Sequence, residues 1–251
     1  MQNRYVGDIG DFGKYAILRR LTGVHPQESP SLHLGIIWYL VPDETGPDGR
    51  HIGYLLPGHR WTAEIKGCDP ELYIRLKALV GRNERSVAAV KRLRILAHDT
   101  VFFERMVPHA PQAEQNRSRR AWFTLANRTI AGCNLVFLDP DNGLAMNNST
   151  RLHRPWKYAF MEEVRRLVAE QKSVVFYHHL GRNQPGRHQI REILRHLTVS
   201  RETARPFGLW YHRGTARAFI VIPSQEHMGI LMKRSADLLR EPWSDHFSRI
   251  G

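Results

Sequence analysis

The residues best suited to chemistry follow the clearest short apolar run of the chain. Residues 134–138 read Asn-Leu-Val-Phe-Leu, which predicts a buried β-strand. The residues that come directly after it are Asp139, Pro140, Asp141, Asn142 and Gly143. A proline ends the hydrogen-bond ladder of a strand, because it has no N–H group to donate. The pattern therefore predicts two carboxylates and an amide at the end of a strand, with an ordinary Asp-Pro and Asn-Gly turn as the alternative.

A second candidate segment precedes an apolar helical pattern near the N-terminus. Residues 6–15 read Val-Gly-Asp-Ile-Gly-Asp-Phe-Gly-Lys-Tyr and contain three glycines, two aspartates and a lysine. Glycine lets the backbone approach a ligand closely, so Gly7, Asp8, Asp11 and Lys14 are candidate binding residues. The structural alternative is that Asp11 caps the helix while Lys14 lies on its solvent face.

The third candidate is the pair His178 and His179, which follows the apolar run 173–177, with Arg182 three residues further on. Adjacent residues of a strand point to opposite faces, so the two imidazoles are poorly placed to share one ion. If the chain begins to turn there, one of them reaches the same crevice as Asp139, and we select His178. With 14 histidines in the chain, a purely structural role is the alternative.

Short apolar runs alternate with helical patterns, which predicts a mainly parallel sheet. Strands are expected at 34–41, 100–103, 134–138 and 173–177, and an antiparallel hairpin at 207–212 and 216–222. Helices are expected at 12–21, 84–96, 156–171 and 189–197. The expected fold is α/β, with a Rossmann-like mainly parallel sheet, helices on both faces and a C-terminal antiparallel β-hairpin, in one domain over residues 1–251.

Such sheets bind ligands at the carboxyl ends of their strands. The segment 139–142 and the histidine pair both lie at predicted strand ends, so they face one another if the two strands are neighbours. Longer connections near 42–62 and 106–117 are rich in glycine, proline and histidine. Connections of this length usually cover a site.

The charge of the chain predicts a nucleic-acid partner. The formal net charge is +13, and of the 37 basic residues 7 are Lys and 30 are Arg. Arginine offers a planar donor fork that suits phosphate. Arg117, Arg119 and Arg120, close to Trp122 and Phe123, are the best candidate basic and aromatic surface, together with Arg182. Arginine enrichment through codon usage is the alternative, with Trp122 and Phe123 as core positions of a helix.

Other features exclude several classes of protein. A hydrophobic content of 42% suffices for a sizeable core at this length. No apolar run approaches the roughly 20 residues that span a bilayer, and the first residues lack the apolar stretch of a secretory signal. Cys68 and Cys133 are far apart, which predicts neither a disulfide scaffold nor a zinc module. We expect a cytoplasmic protein without membrane contact.

Two of these segments together resemble a known family. Residues 7–15 are similar to the N-terminal Gly-Asn-x-Ala-Asp-Val-Leu-Lys-His motif of the large-subunit ribosomal RNA adenine-N6 methyltransferases, with Gly7, Asp11 and Lys14 matching in place. Asp139-Pro140 falls where that family has its Asp-Pro-Pro-Tyr motif. The helical pattern from Trp156 and the strand end before His178 also fall in the family's order, so that the resemblance covers roughly residues 3–222.

The resemblance implies S-adenosylmethionine (SAM) as cofactor and nucleic acid as substrate. Asp139 would orient the acceptor group and help to remove its proton, while Asp141 and Asn142 would hold the substrate. The residues implied near the cofactor are Gly7, Asp8, Asp11, Lys14 and Asp43. Asn142 stands where the family has an aromatic ring, so that a flipped base would need another ring, such as Tyr177. A Gly-x-Gly turn does not follow the strand predicted at 34–41.

Two other functions remain open. The second carboxylate of the Asp139-to-Asn142 segment suits a metal-dependent nuclease or phosphoesterase. In that function Asp139, Asp141 and His178 bind Mg or Mn, Asp8 is a further candidate ligand, and Arg182 assists. A nucleic-acid-binding relative that has lost catalysis is the third possibility. It predicts salt-sensitive binding without cofactor affinity.

Overall fold

A computed structural model describes residues 1–23, 32–109, 112–146, 152–197 and 204–251, with the backbone alone at 112 and 113. The helices are α1 (Ile9–Thr22), α2 (Thr62–Cys68), α3 (Pro70–Gly81), α4 (Val87–Arg92), α5 (Gln112–Thr129), α6 (Met161–Ala169), α7 (Gly186–His196) and α8 (Met228–Asp237). The strands are β1 (Leu34–Ile37), β2 (Val101–Phe103), β3 (Leu135–Leu138), β4 (Gly143–Ala145), β5 (Tyr158–Phe160), β6 (Ser173–His179), β7 (Phe207–Tyr211), β8 (Arg217–Ile222) and β9 (Phe247–Ile250). Short 3-10 turns occur at Asn3–Tyr5, Gly53–Leu55 and Pro155–Lys157.

Seven of the strands form one sheet in the order β2-β1-β3-β6-β8-β7-β9. The first four run parallel, which confirms the prediction of a mainly parallel α/β sheet. The strands β7 and β8 pair antiparallel, as predicted, and β8 lies between β6 and β7. The edge strand beyond β7 is β9, which the sequence pattern did not reveal.

Helices cover both faces of the sheet, because successive strand residues point in opposite directions. Leu135 and Phe137 of β3 pack in one cluster with residues of α1, α3, α4 and α8. Val136 and Leu138 pack in another with residues of α5, α6 and α7. Apolar burial on both faces explains why the central strands read as continuous apolar runs. No helix in the described ranges is long and apolar enough to cross a lipid bilayer.

Several predicted boundaries are wrong for local reasons. The strand expected to reach residue 41 ends at Ile37, because Tyr39 has a left-handed φ of 45°. The helix expected over 84–96 begins after Ser86, whose Oγ accepts the Ala89 N–H, and ends before Arg94, which has a φ of 49°.

The predicted helix 156–171 is also shorter. A 3-10 turn and β5 occupy its first residues, and α6 begins at Met161. The Phe160 N–H, just before α6, donates to Glu163 Oε2, which caps the helix there. The long connection expected at 106–117 ends where α5 begins at Gln112, and its residues 110 and 111 lie outside the described ranges.

Candidate functional site

A polar cavity of about 290 Å³ lies at the carboxyl ends of β3 and β6. These two strands are hydrogen-bonded neighbours, so that the segment 139–142 and the end of β6 meet, as the expected topology requires. The start of α1 forms a further wall, and the connection 42–62 contributes Asp48, Gly49 and His51. The cavity thus brings together the segments 7–15 and 139–142, which are far apart in the sequence.

A buried lysine connects those two segments. Lys14 Nζ lies 2.8 Å from Asp11 Oδ1 and 2.7 Å from Asp139 Oδ2, and all three side chains are no more than 4% exposed. Asp11 and Lys14 are one helical turn apart and share a face of α1, which turns both toward the sheet. The alternative that placed Lys14 on the solvent face is therefore wrong. Burial alone would lower the pKa of Lys14, but the charges of Asp11 and Asp139 raise it above its usual value.

Asp8, rather than Asp11, caps α1. Asp8 Oδ1 accepts the Gly10 N–H at 2.9 Å, and Asp8 Oδ2 accepts the His51 N–H at 2.9 Å. Arg217 Nη2 lies 3.8 Å from Asp8 Oδ1. Gly10 permits this approach, because a Cβ on Gly10 would lie 1.2 Å from Arg217 Nη1. Asp8 therefore lines the cavity and connects the start of α1 to Arg217 at the start of β8.

Asp139 is buried with one carboxylate oxygen held by Lys14. Within the described ranges, its Oδ1 forms no hydrogen bond with the protein, and the residue lines the cavity. Burial raises the pKa of Asp139 above its usual value, although the charges of Lys14 and the Met1 amino group oppose the rise. One oxygen of this carboxylate is therefore anchored while the other remains able to accept a proton or a hydrogen bond from a ligand.

Asp141 belongs to a different charge arrangement on the same wall. The Met1 amino group lies 2.6 Å from Asp141 Oδ1, and Gln2 Nε2 donates to Asp141 Oδ2 at 2.7 Å. Lys157 Nζ is 3.3 Å from the second oxygen. Burial acts to raise the pKa of Asp141, but these partners outweigh it and lower the pKa below its usual value.

Three oxygens converge on the Met1 amino group. Besides Asp141 Oδ1, the carbonyl oxygens of Tyr39 and Asp139 accept from it at 3.0 and 3.2 Å. Two carbonyl oxygens and one ionised carboxylate offer three acceptors to one point, which suits an ammonium group. We call Tyr39 O, Asp139 O and the Asp141 carboxylate the ammonium subsite.

The two histidines at the end of β6 diverge, as strand geometry requires. His178 lies outside the cavity, where its Nδ1 accepts the Leu144 N–H at 3.1 Å. Burial, followed by the charge of His179, lowers the pKa of His178 to about 4, so it is neutral at pH 7. His179 shares a face with Tyr177, and both line the cavity. The position of His178 gives no support to its selection as the catalytic histidine.

Other predicted site residues are dispersed. Asp43 is exposed and accepts the Arg4 N–H at 3.2 Å, outside the cavity. Gly7 supports the turn before α1 with a φ of 88°, and its carbonyl accepts from Tyr54 Oη at 3.2 Å. Tyr5, Thr215 and Arg217 line the cavity and were missed. No periodic signal in the sequence marks those three, because they come from a short 3-10 turn and from the hairpin end.

The proposed basic surface on α5 needs a correction. Arg119 is 3% exposed, with its Nε 2.6 Å from Glu163 Oε1 and its guanidinium over the Tyr39, Trp122 and Phe160 rings. Its burial and its pairing with Glu163 give no support to its selection as a nucleic-acid-binding residue. Trp122 and Phe123 are buried core residues, as the alternative held. Arg117 and Arg120 are exposed on α5, and Arg182 is exposed on the rim of the cavity.

The ligands proposed for a metal ion do not converge. In the part of the chain that the structure describes, no group of three or more His, Cys, Asp or Glu side chains is arranged to hold a metal ion. Asp139 and Asp141 are each paired with an ammonium group, and His178 faces away from both. No observation in the site favours the metal-dependent hydrolase.

The fold and site define an α/β protein with a polar, carboxylate-rich crevice at the carboxyl edge of a mainly parallel sheet. A scan against protein-family models matches no family, and a search of curated proteins finds no match.

Proposed function

We propose that this protein is a SAM-dependent methyltransferase that acts on nucleic acid. The observation that carries the proposal is the contact between Lys14 Nζ and Asp139 Oδ2 at 2.7 Å. These residues belong to two segments 125 positions apart, and the resemblance assigns both segments to one active site. The Rossmann-like character of the sheet is part of the same proposal, supported by the parallel order β2-β1-β3-β6 with helices on both faces.

The chemistry of the ammonium subsite fits one end of the cofactor. SAM carries an α-ammonium group, and Tyr39 O, Asp139 O and Asp141 already bind an ammonium group in the structure. The remaining cavity of about 290 Å³ is near the lower limit of roughly 300 Å³ for small-molecule sites. Binding of the cofactor's ammonium group here would displace the Met1 amino group. SAM, when bound, supplies an electrophilic methyl group.

The chain's own residues would prepare the acceptor. Asp139 Oδ1 would accept a hydrogen bond from the acceptor amine or hydroxyl and then its proton, because the other oxygen is fixed by Lys14. The raised pKa of Asp139 makes it a stronger base than an exposed aspartate. Asn142 and Tyr177 line the same cavity, where an amide and a ring can bind a base.

The charge distribution supports a nucleic-acid substrate. A net charge of +13 attracts phosphate at long range, and the cavity wall carries Arg182 and Arg217. The carboxylates in the crevice are paired with cations of the protein, so that they do not repel an anionic substrate as unpaired charges would.

Calorimetric titration with SAM and its demethylated product tests the cofactor. We expect micromolar binding by the wild type, and a loss of about tenfold to a hundredfold in Asp141→Asn, because a hydrogen bond to a charged group contributes about 1.5–3 kcal/mol. Asp43→Asn is the matched control, since it removes an exposed carboxylate outside the cavity and should leave binding unchanged. Thermal unfolding of both variants confirms that they fold.

Each outcome has a distinct meaning. A wild type that binds neither compound contradicts the methyltransferase proposal, and salt-sensitive binding of nucleic acid alone would then indicate a non-catalytic protein. Equal affinity in wild type and Asp141→Asn would remove the ammonium subsite from the cofactor site. Transfer of labelled methyl groups to pools of RNA and DNA, abolished in Asp139→Asn, would establish the reaction and the substrate together.

A further inference from the structure

Helix α7 presents a row of basic side chains to solvent. Arg187, Arg191 and Arg195 are exposed and occur at four-residue spacing, which places them along one side of the helix. The opposite side is apolar, with Ile190 and Ile193 buried against the sheet. The row spans about 12 Å, since a helix rises about 1.5 Å per residue.

Two arginines of this row, and Arg182 before it, have no acidic partner among the described residues. In the described ranges, Arg182, Arg187 and Arg191 form no salt bridge, and Glu192 of α7 lies 3.5 Å from His188 instead. Some arginines of other helices lie beside acidic partners, as in Arg75 with Glu71, Arg92 with Glu84 and Arg166 with Glu170. Within the part of the chain that the structure describes, the exposed Arg117 and Arg120 of α5 form no salt bridge either. The lack of acidic partners therefore does not distinguish α7 from α5, whereas the position of α7 next to the cavity rim does.

The row is continuous with the rim of the cavity. Arg182 lines the cavity, and α7 begins four residues later at the same edge of the sheet. Trp210 lies against Gly186, where a Cβ would come within 3.0 Å of the indole ring. Trp210 and His212 have ring centroids 4.7 Å apart. Burial and the charges of Arg213 and Arg187 lower the pKa of His212, which leaves a neutral ring beside the arginines at pH 7.

We propose that Arg182 and the arginines of α7 form the track along which the phosphate backbone of the nucleic acid runs to the cavity. The inference rests on the proposed function, because it names the surface that presents the substrate to that site. A span of about 12 Å corresponds to three or four charges of one strand, at about 3.4 Å per charge. The half-buried ring of Trp210 and the exposed ring of His212, beside arginines, are also typical of surfaces on which bases stack.

The test compares two charge-matched variants. Arg187→Ala/Arg191→Ala removes two charges from the track, and Arg117→Ala/Arg120→Ala removes two exposed charges from α5. Binding of a fluorescent oligonucleotide, as single strand and as duplex, is measured by anisotropy between about 0.05 and 0.2 M salt. Alanine favours helix, so both variants should fold, and circular dichroism checks this.

We expect the negative slope of log K against log salt to become shallower in the α7 variant, by about 1.4 for the single strand and about 1.8 for the duplex. With equal affinity of variant and wild type at about 1 M salt as the reference, these differences in slope correspond to affinities about 15-fold and about 30-fold weaker at about 0.15 M salt. The α5 variant should change affinity by less than about twofold, because neither of its arginines lines the cavity or belongs to α7.

An equal loss in both variants would show that bulk charge governs binding and would overturn the track. An unchanged affinity in the α7 variant would also overturn the track. In that case, binding of the oligonucleotide by the wild type would still support the nucleic-acid part of the proposed function. A wild type that binds no oligonucleotide but captures an acidic protein would refute both the track and the nucleic-acid substrate. The cofactor titration is independent of this surface, so failure of the methyltransferase proposal is recognised separately.

Discussion

Replacement of Lys14 by methionine should be among the most destabilising single changes in the crevice. The ammonium group of Lys14 lies between two buried carboxylates, at 2.8 and 2.7 Å. Methionine keeps most of the side-chain volume, so that the main loss is the charge and its hydrogen bonds. Removal of one partner from a buried ion pair costs about 3–5 kcal/mol, because the remaining charge is left without compensation. For a chain of this size, the loss corresponds to a decrease of about 6–20 °C in Tm.

The loss should depend on pH in a defined direction. The pKa of Asp139 is already raised by burial, and removal of Lys14 takes away an opposing charge, so that the pKa rises further. A carboxyl group with a raised pKa in the folded state favours folding below its unfolded pKa of about 3.9. That contribution is lost as the pH increases through the folded-state pKa. The deficit of Lys14→Met relative to wild type should therefore be larger at pH 8 than at pH 5.

Urea unfolding followed by circular dichroism at the two pH values measures both effects. The double variant Lys14→Met/Asp139→Asn is the matched control, because it removes one of the two carboxylates together with their shared partner. It should recover part of the lost stability and lose the pH dependence that comes from Asp139, while Asp11 remains buried without its ammonium partner. A Lys14→Met protein destabilised by less than about 1 kcal/mol at both pH values would refute the buried ion pair.

Two further changes test other parts of the fold. Arg119→Met should lower the free energy of unfolding by about 3–5 kcal/mol, since Glu163 would remain buried without its partner. The nucleic-acid affinity, measured at a temperature where the variant is folded, should stay unchanged. A loss of affinity at that temperature would restore Arg119 to the binding surface. Gly143→Ala should destabilise the protein by at least about 1–3 kcal/mol in thermal unfolding. The reason is that Gly143 has a φ of 109° and that a Cβ would lie 2.8 Å from His178 Cα. Rescue by His178→Ala would show that the His178 side chain rather than the backbone is the obstacle.

The sheet was predictable because apolar runs carry their own signal. The parallel strands β1, β2, β3 and β6 all lie within or close to segments that alternation and composition marked. The hairpin of β7 and β8 was recognisable from the glycine turn between two apolar runs. Helices α2, α3 and α8 and the strands β4, β5 and β9 were not predicted. The strands β4 and β5 have three residues each, too few for a periodic pattern. Helix α3 does carry a sequence signal that was missed, since Asp69 caps it, Pro70 begins it, and Leu72, Leu76 and Leu79 recur at helical spacing.

The candidate site was predictable only as segments. The sequence identified the segment 7–15 and the segment 139–142, and the structure brings Asp8, Asp11 and Lys14 to the same cavity as Asp139. The role of each residue depends on the direction in which its side chain points. Spacing along a strand predicts that direction only where the length of the strand is known. Strand β6 continues regularly to His179, so His178 points away from the cavity while His179 lines it. Asp43 follows a strand pattern that ends early, and its connection carries it to the surface.

The arginine content illustrates why composition overstates a binding surface. Arg19 pairs with Asp69 and Glu71, Arg119 pairs with Glu163, and Arg217 lies beside Asp8, all three largely buried. Such arginines compensate internal carboxylates and contribute little to the field that a polyanion meets. The net charge therefore has to be carried by exposed arginines, and its effect on a partner depends on where these lack acidic neighbours. Among the residues that the structure describes, Arg187 and Arg191 of α7 meet that condition, and so do Arg117 and Arg120 of α5. What favours α7 is that it directly follows Arg182, which lines the cavity.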